Sequence, residues 1–468
     1  MHPNALLEAC TELVRLTLKF EHPADAVVSK FFRDYRKTYA FGPRERAALA
    51  ETTYNVLRNK LRYDHLAPSG SGPKERRLAI LGFADHLQNT ANRPASEPHS
   101  NDASSLKPSA AKYAAAKQAA QNRHARPSNN PLDFLFGALN KQEAAWLEAC
   151  AKVQTSELLE RHRHNLPEWL VEPLKAQVGD GFWRLVTQLN VSAPLDLRVN
   201  TFTDKREDVQ KELKVAGIQA TPTPFSPWGL RIQGKPALSQ LDLFSRGAVE
   251  VQDEGSQLLA LLLDAKRGEM VCDFCAGAGG KTLAIGASMR STGRLYAFDT
   301  SGHRLEALKP RLARSKLSNV HPAAIAHERD DRIKRLSGKM DRVLVDAPCS
   351  GLGTLRRNPD LKWRQSPQSV AELTVKQTAI LASAARLLKS GGRLVYATCS
   401  LLPEENEAIA QAFSAAHPEF VPLSVFETLQ ALKVHDAASL CSADGLYLRL
   451  WPHLHASDGF FAATWTAK

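Results

Sequence analysis

The sequence lacks the features that would place the chain in a membrane or outside a cell. Its 468 residues contain no apolar run of the roughly 18 residues that a transmembrane helix needs. The first residues, MHPNALLEACTELVRL, lack a basic segment followed by a long apolar core, so we expect no secretory signal. Seven cysteines, an odd number in a large chain, provide no disulfide framework. We therefore expect a cytoplasmic protein with reduced thiols and no membrane partner.

Acidic residues are too few to balance the basic ones. The chain has 61 Lys and Arg against 49 Asp and Glu, which gives a net charge of +12. This excess predicts a polyanionic partner, most simply a nucleic acid. Charge alone does not distinguish such a protein from the many basic proteins that bind no nucleic acid.

Residues 1–160 are predicted to form a helical domain that carries an insertion. The segment ALLEACTELVRL places Leu6, Cys10 and Leu13 on one face at helical spacing. Residues 89–131 contain few large apolar side chains, too few to offset the entropy lost on ordering, so we predict a disordered insertion there. Helical patterning resumes at DFLFGALNKQEAAWLEACAKV.

The rest of the chain predicts two α/β regions. Residues 161–248 have the pattern of strand, helix and strand, with Gly217 at the end of the helix, which indicates a small linking module. Residues 249–468 alternate short apolar runs with helical segments, which predicts a parallel, doubly wound sheet. Ligands of such sheets bind at the carboxyl ends of the strands.

The segment VCDFCAGAGGKT joins a predicted strand to a helix through small residues, which let a ligand approach the backbone. These small residues are Ala276, Gly277, Ala278, Gly279 and Gly280. The letters GGKT also occur in the phosphate-binding loop of ATPases. That loop requires a glycine where this chain has Cys275, so the match fails at its first position.

Asp299 ends the next predicted strand, GRLYAFD. A carboxylate at this place accepts hydrogen bonds from ribose hydroxyls in nucleotide-binding sheets, and a solvated carboxylate is the alternative. With the glycine-rich turn, it favours an adenosine-containing cofactor without a triphosphate, such as S-adenosyl-L-methionine.

Two later segments, RVLVDAPCSGLGT and RLVYATCSLLPEEN, each contain an apolar run that is followed shortly by a Cys and then a Ser. They place Cys349 and Cys399 at equivalent strand ends. A thiolate that adds to C6 of a pyrimidine makes C5 nucleophilic, so that C5 accepts a methyl group and a base then removes the C5 proton. Asp346, as a protonated carboxyl, would donate to the cytosine edge and stabilise the adduct. Two buried structural thiols are the alternative interpretation.

Two further patterns carry weaker predictions. Cys272 and Cys275 form a C-x-x-C pair, but no second pair has zinc-like spacing, so no metal site is predicted. The segment LRRNPDLKWRQ surrounds an aromatic ring with basic groups, which predicts phosphate contacts and base stacking, or simply a charged loop. Its residues in question are Arg356, Arg357, Lys362, Trp363 and Arg364.

The motifs DFCAGAGGKT, DAPCSGLGTLRRNPDLKW and YATCSLLPEENE, in this order, resemble those of the RsmB/Sun family of RNA cytosine-C5 methyltransferases. LRVNT and GAVEVQDEGSQL resemble the segment that leads into the catalytic domain of that family. The likeness is strongest over residues 249–468 and looser for the N-terminal helices, which are similar to a NusB-like RNA-binding domain. It implies a Rossmann-like class I methyltransferase domain that modifies RNA, most simply 16S ribosomal RNA, with transfer RNA as the alternative.

The resemblance also implies roles for single residues. Cys399 would be the nucleophile that attacks C6, and Cys349 would assist breakdown of the covalent intermediate. The S-adenosylmethionine site would comprise Cys275 to Lys281, Asp299, Asp330 and Asp346, with Asp331 as a rival to Asp330. Gly277-Ala278 replaces an Ala-Pro pair of the common family form, which implies a less rigid turn.

Three other functions compete with this interpretation. A P-loop ATPase would bind ATP and tolerate loss of Cys399, and a non-catalytic RNA-binding factor would lack a thiol or the cofactor turn. A DNA cytosine methyltransferase would use the Pro-Cys thiol, Cys349, as its nucleophile. The second thiol and the basic helical N-terminal region favour RNA over DNA as the partner. We expect the enzyme to be a monomer.

Overall fold

The computed structural model describes residues 1–38, 41–91 and 130–468, which form two units. The first unit is Met1–Asn165 and the second is Leu166–Lys468. The boundaries predicted at residues 160 and 248 stay predictions, and the second of them falls inside the second unit.

The first unit contains helices throughout its described residues. Leu6, Cys10 and Leu13 are all buried on one face of the first helix, so the amphipathic pattern is confirmed. The predicted insertion at 89–131 lies mostly outside the described residues, although the fifth helix extends to Ala91. The helices are α1 Pro3–Thr17, α2 Ala24–Asp34, α3 Pro43–Arg58, α4 Lys60–Leu66, α5 Lys74–Ala91, α6 Asp133–Phe136, α7 Lys141–Lys152 and α8 Glu160–His164.

The second unit begins with two helices and a small antiparallel sheet. The sheet has the strand order β2-β3-β1-β4. Gly217 has a φ of +75° directly after the helix between β1 and β2, a conformation that favours glycine, as predicted. The elements are α9 Glu168–Val178, α10 Phe182–Leu189, β1 Leu195–Val199, α11 Arg206–Val215, β2 Ala220–Pro222, β3 Gly229–Ile232, α12 Asp242–Ser245 and β4 Val249–Val251.

A larger sheet occupies the rest of the second unit, all of whose residues are described. Its strand order is β10-β12-β9-β8-β5-β6-β7, with β11 paired to β12. The strands β9, β8, β5, β6 and β7 are parallel, whereas β12 is antiparallel to β9. The elements are α13 Glu254–Leu262, β5 Met270–Asp273, α14 Gly280–Ser288, β6 Arg294–Asp299, α15 Gly302–Ser315, β7 Val320–Ala324, α16 Asp331–Lys334, β8 Met340–Asp346, α17 Leu361–Arg364, α18 Pro367–Ala385, β9 Leu388–Thr398, α19 Glu407–Ala416, β10 Phe420–Leu423, α20 Val425–Ala431, β11 Tyr447–Leu450, α21 Pro452–His455 and β12 Phe460–Ala467.

Helices cover both faces of the large sheet because its central strands are apolar on both sides. In β8, Leu344 packs into one core, while Val343 and Val345 pack into the other. Such continuous apolar strands are typical of a parallel sheet between two helical layers. The predicted doubly wound parallel sheet is therefore confirmed. Across the described residues, no helix has the length and apolarity needed to cross a lipid bilayer.

Candidate active site

A cleft of about 890 Å³ opens at the carboxyl ends of the central parallel strands. Three of these strands, β5, β6 and β8, end in aspartates that line it, namely Asp273, Asp299 and Asp346. We call the part around Cys275–Lys281 and Asp299 the cofactor half, and the part around Cys349 and Cys399 the thiol half. Both halves belong to the second unit.

The glycine-rich turn follows β5 and begins α14, as predicted. Gly277 has a φ of +56°, and a side chain placed there would meet no protein atom within 4 Å, so glycine leaves this part of the cleft open. Gly279 has a φ of +83°, and an added Cβ would lie 2.1 Å from Leu308 Cδ1. A positive φ therefore favours glycine at both positions, and Gly279 also permits close packing against α15.

Asp299 is bound to the turn through its own carboxylate. Its Oδ2 accepts a hydrogen bond of 2.8 Å from the Gly277 N–H, and its Oδ1 accepts one of 2.7 Å from the Ser301 N–H. Each oxygen retains a lone pair, because a carboxylate oxygen can accept more than one hydrogen bond. Asp299 can therefore orient the turn and still accept bonds from a ligand.

A salt-bridge cluster braces the same turn from outside. Glu250, on β4 of the small sheet, is 4% exposed and pairs with Arg311 and Arg314 of α15. Arg311 Nη1 also donates to the backbone carbonyl of Ala278. The small sheet thus supports the Gly277-Ala278 turn, for which the sequence predicted less rigidity.

Asp273 is a cleft residue that the sequence interpretation missed. It is 1% exposed, and its Oδ2 accepts a hydrogen bond of 2.7 Å from the Thr282 hydroxyl. No donor among the described residues reaches its Oδ1. Burial raises the pKa of Asp273 to about 7, although the Thr282 hydrogen bond opposes this shift. Its position at the end of β5, in CDFC, was the available signal.

Lys281 and Asp346 form an ion pair between the two halves of the cleft, with Nζ 2.6 Å from Oδ2. Burial lowers the pKa of Lys281, but the charge of Asp346 and this hydrogen bond outweigh burial, so the net shift is upward. The contact of Asp346 is thus that of a carboxylate with an ammonium group. It differs from the protonated donor that the sequence suggested.

The two predicted thiols lie side by side. Strands β8 and β9 are adjacent and in register, with Asp346 opposite Ala397, so the chain beyond each strand reaches the same point. The Sγ atoms of Cys349 and Cys399 are 3.4 Å apart, and both residues are half-buried in the cleft wall. The hydrogen bond with Cys399 and burial raise the pKa of Cys349 well above its ordinary value.

Asp330 and Asp331 are not among the residues that line the cleft. Asp330 caps α16: its Oδ1 accepts from the Arg332 N–H, and its Oδ2 from the Ala326 N–H. Glu328, in the same HERDD segment, does line the cleft. A cofactor role for Asp330 remains a prediction, and the structure introduces Glu328 as a competitor.

The basic loop predicted to meet phosphates is largely turned into the second unit. Arg357 pairs with Asp253 and Asp458 at the cleft wall, at 2.8 and 2.7 Å. Arg356 and Lys362 are 5% and 2% exposed. Lys362 Nζ lies 5.1 Å from the centre of the Trp363 ring. Of the basic residues in this loop, only Arg357 lines the cleft.

Three further thiols have structural surroundings. Cys10, Cys150 and Cys272 are buried, and Cys272 lies within β5. In the parts of the chain that the structure describes, no group of three or more metal-ligating side chains is found.

Comparisons with known proteins place these features in a family. The family described as 16S rRNA methyltransferase RsmB/F matches residues 260–466, and the ferredoxin-like domain of RsmF/B-like methyltransferases matches residues 166–239. A probable ribosomal RNA small subunit methyltransferase B from Synechocystis sp. is 37% identical over 306 residues, which cover 64% of this chain and 66% of that protein, slightly less than two thirds of its length.

Two further comparisons agree with the first. The ribosomal RNA small subunit methyltransferase B of Yersinia enterocolitica is 35% identical over 315 residues, which cover 66% of this chain and 69% of that protein. The crystal structure of a methyltransferase homolog protein from Pyrococcus horikoshii superposes with a TM-score of 0.56 at 26% identity, covering 68% of this chain and all of that chain. The predicted Rossmann-like class I methyltransferase fold is therefore confirmed.

Proposed function

Because this chain belongs to the RsmB/F family of 16S rRNA methyltransferases, we propose that it transfers a methyl group from S-adenosyl-L-methionine to C5 of a cytosine in RNA. We propose 16S ribosomal RNA as the substrate, since the relatives above are named for the small ribosomal subunit. The reaction would proceed through a covalent bond between a cysteine and C6 of the base.

One observation carries the proposal. Two thiols from adjacent parallel strands lie 3.4 Å apart in the same cleft as a glycine-rich cofactor turn. Methylation of an unactivated pyrimidine carbon needs a nucleophile for C6 and a group that assists its later departure. A cleft with two neighbouring thiols supports both steps, whereas ATP hydrolysis or passive RNA binding requires neither.

Three features of the cofactor half support S-adenosylmethionine as the methyl donor. The open space at Gly277 leaves room for a ligand against the turn, and Asp299 presents acceptors suited to ribose hydroxyls. The unpartnered Oδ1 of Asp273 is a buried acceptor that a cationic amino group would satisfy. When bound, S-adenosylmethionine supplies the electrophilic methyl group.

The residues of the chain would divide the remaining work. Cys399 Sγ would form the bond to C6, and the ammonium group of Lys281 lies close enough to interact electrostatically with this thiol. Asp346, held by Lys281, would accept a hydrogen bond from the cytosine amino group as a carboxylate. After transfer a base removes the C5 proton, the Cys399–C6 bond breaks, and Cys349, next to the leaving sulfur, would assist this elimination.

The target base must leave its stack before a thiol can reach C6. We therefore expect an unpaired cytosine to be modified faster than the same base in a regular duplex. Binding should also weaken steeply with salt, because the positive chain would release counterions from RNA.

Methyl transfer from labelled S-adenosylmethionine to unmodified 16S ribosomal RNA and to transfer RNA tests the proposal. We expect 5-methylcytosine at a defined position of 16S RNA, located by bisulfite sequencing. Label on another atom or base would overturn the C5 assignment, and a preference for transfer RNA would overturn the assigned substrate. The same sequencing on RNA from cells with and without the protein provides the control.

A further inference from the structure

The residue after each cysteine is a serine, and the two serines share one carboxylate. Ser350 Oγ and Ser400 Oγ lie 3.2 Å apart, and both donate to Oε2 of Glu405. The Ser350 N–H donates to Oε1 of Glu405 at 2.8 Å. The two thiol-bearing segments are therefore tied to each other directly behind the cleft, through Glu405, which lies six residues after Cys399 in the second cysteine motif.

Glu405 is itself held rigidly. It is fully buried, and its Oε1 also accepts a hydrogen bond of 3.0 Å from Gln377 Nε2. The same Gln377 group donates to the carbonyl of Pro348, the residue before Cys349. The backbone carbonyl of Glu405 accepts from the Tyr396 hydroxyl at 2.6 Å, which ties the loop to β9. Both ends of this residue are thereby connected to the strands that carry the thiols.

Burial of the Glu405 carboxylate is unfavourable unless protein groups replace the hydrogen bonds that it makes with water. The described residues show hydrogen bonds to Glu405 and no ion pair, and an uncompensated buried charge is strongly destabilising in a low-dielectric interior. The donors come from Ser350 in one thiol-bearing segment and Ser400 in the other. They compensate the buried charge together only if the two segments stay next to each other. The charge therefore links the stability of one segment to the position of the other.

We infer that Glu405 is a positioning residue that sets the distance between the two thiols, with Ser400 orienting Cys399 for attack and Ser350 orienting Cys349 for release. This inference rests on the proposed function, because only a two-thiol reaction requires the two orientations separately. The charge of Glu405 is also one cause of the raised pKa of Cys349, after the Cys399 contact and burial. A purely structural network would affect both reaction steps alike.

The matched variants Ser400→Ala and Ser350→Ala separate these possibilities. Each removes one hydroxyl from the same carboxylate and leaves both cysteines in place. Rapid-quench reactions with unmodified 16S RNA would follow formation and decay of the protein–RNA adduct on denaturing gels. We expect Ser400→Ala to slow adduct formation about tenfold, since small displacements of a nucleophile have effects of this size or larger. Ser350→Ala should slow adduct decay about tenfold and leave formation within about twofold.

Glu405→Gln should slow both steps, because an amide places a donor against the seryl hydroxyls and removes the charge. Thr378→Ala is the control. Thr378 follows Gln377 in α18, and its exposed hydroxyl donates to the Thr374 carbonyl of the same helix. The substitution should therefore change neither step. Melting temperatures report whether each variant is folded. If Glu405→Gln does not fold, the two serine variants still decide.

Equal slowing of both steps by both serine variants would overturn the positioning role, as would no effect of either. A wild-type protein that methylates RNA without any adduct would overturn the inference together with the covalent mechanism. If wild type forms the adduct but the two serine variants slow both steps equally, the proposed function would stand and only the role of Glu405 would be rejected.

Discussion

The two halves of the cleft each contain a buried carboxylate, and the two are satisfied very differently. Glu405, behind the thiols, is fully buried, and both its oxygens accept hydrogen bonds from the protein. Asp273, in the cofactor half, is 1% exposed, yet its Oδ1 has no donor among the described residues. Donors within the protein thus satisfy both oxygens of Glu405, whereas Asp273 retains an acceptor that is available to a ligand.

The supports of the two halves differ in the same way. The thiol segments are joined by buried hydrogen bonds over short distances, which hold atoms in defined positions. The cofactor turn is braced by Arg311 and Arg314, whose side chains are about one fifth exposed. The thiol segments are therefore held by contacts shielded from water, whereas the brace of the glycine-rich turn is partly open to solvent.

The largest expected effect lies in the thiol half. Cys399→Ala should lower methylation at least about 1,000-fold and abolish covalent RNA capture, because no other group would attack C6. Cys349→Ala should still form the adduct but accumulate it, because release is slowed. Denaturing gels with unmodified 16S RNA measure both results. If the two outcomes were exchanged, Cys349 would be the nucleophile.

The next effect concerns Asp273 and its unmatched oxygen. Its pKa is raised from 3.8 to about 7 in the folded protein. Between about pH 4 and 7, the folded chain therefore keeps a proton that the unfolded chain has released, and stability from this group falls as the pH rises. Asp273→Asn should remove this loss, so that the variant gains on the order of 4 kcal/mol relative to wild type between pH 4 and 8.

Denaturant unfolding of the full chain across this pH range measures the gain. Asp341→Asn is the matched control of opposite sign. Burial raises the pKa of Asp341, but hydrogen bonds from Lys389 and the Met270 N–H outweigh it and lower the pKa overall. Because the stability that Asp341 contributes is lost only as the pH falls below about 4, this variant should be less stable than wild type by a nearly constant amount between about pH 5 and 8. If the free energy of unfolding of wild type and of Asp273→Asn changed with pH in parallel, the raised pKa of Asp273 would be contradicted.

A smaller effect is expected at the brace of the cofactor turn. Glu250→Gln removes the charge that holds Arg311 against the Ala278 carbonyl, so we expect S-adenosylmethionine to bind about tenfold more weakly, a loss of about 1.4 kcal/mol. Calorimetric titration measures the affinity. Glu269→Gln removes a similar pair with Arg342 near the amino ends of β5 and β8, and it should leave the affinity unchanged. Equal effects of the two variants would show that the brace does not act on the turn.

The smallest effect is expected at Asp330. Because its oxygens accept the backbone N–H groups of Arg332, in the first turn of α16, and of Ala326, in the segment before it, Asp330→Ala should lower the melting temperature slightly and change cofactor affinity by less than about twofold. Glu328→Ala should weaken S-adenosylmethionine binding more than Asp330→Ala does, because Glu328 lines the cleft. A larger effect at Asp330 than at Glu328 would restore the role that family resemblance implied for Asp330.

Local pattern predicted the parts of the site that lie at strand ends. The turn after β5, Asp299 and the two Cys-Ser segments were identifiable because parallel strands bring their carboxyl ends to one edge of a sheet. Asp330 was harder to place, since HERDD offers several carboxylates within one irregular segment. Only the backbone path shows that Glu328 faces the cleft while Asp330 caps a helix.

Partnerships between distant segments could not be predicted in the same way. From the sequence, Arg357 was predicted to contact phosphates and Asp346 to act as a neutral acid, whereas both are ion-paired in the structure. The charge state of a side chain depends on what surrounds it in three dimensions, and the partners Asp253, Asp458 and Lys281 are 65 to 104 residues away along the chain.

The sequence by itself determined the parallel sheet, the cofactor turn and the presence of two thiols, because each depends on apolar periodicity or on residues that are neighbours in the chain. Only the tertiary structure decided how these thiols are held next to each other. It brings Ser350, Ser400 and Glu405 together from two loops, and it places Glu250 behind the turn. Burial and hydrogen bonding depend on contacts between distant segments, and those contacts exist only once the chain has folded.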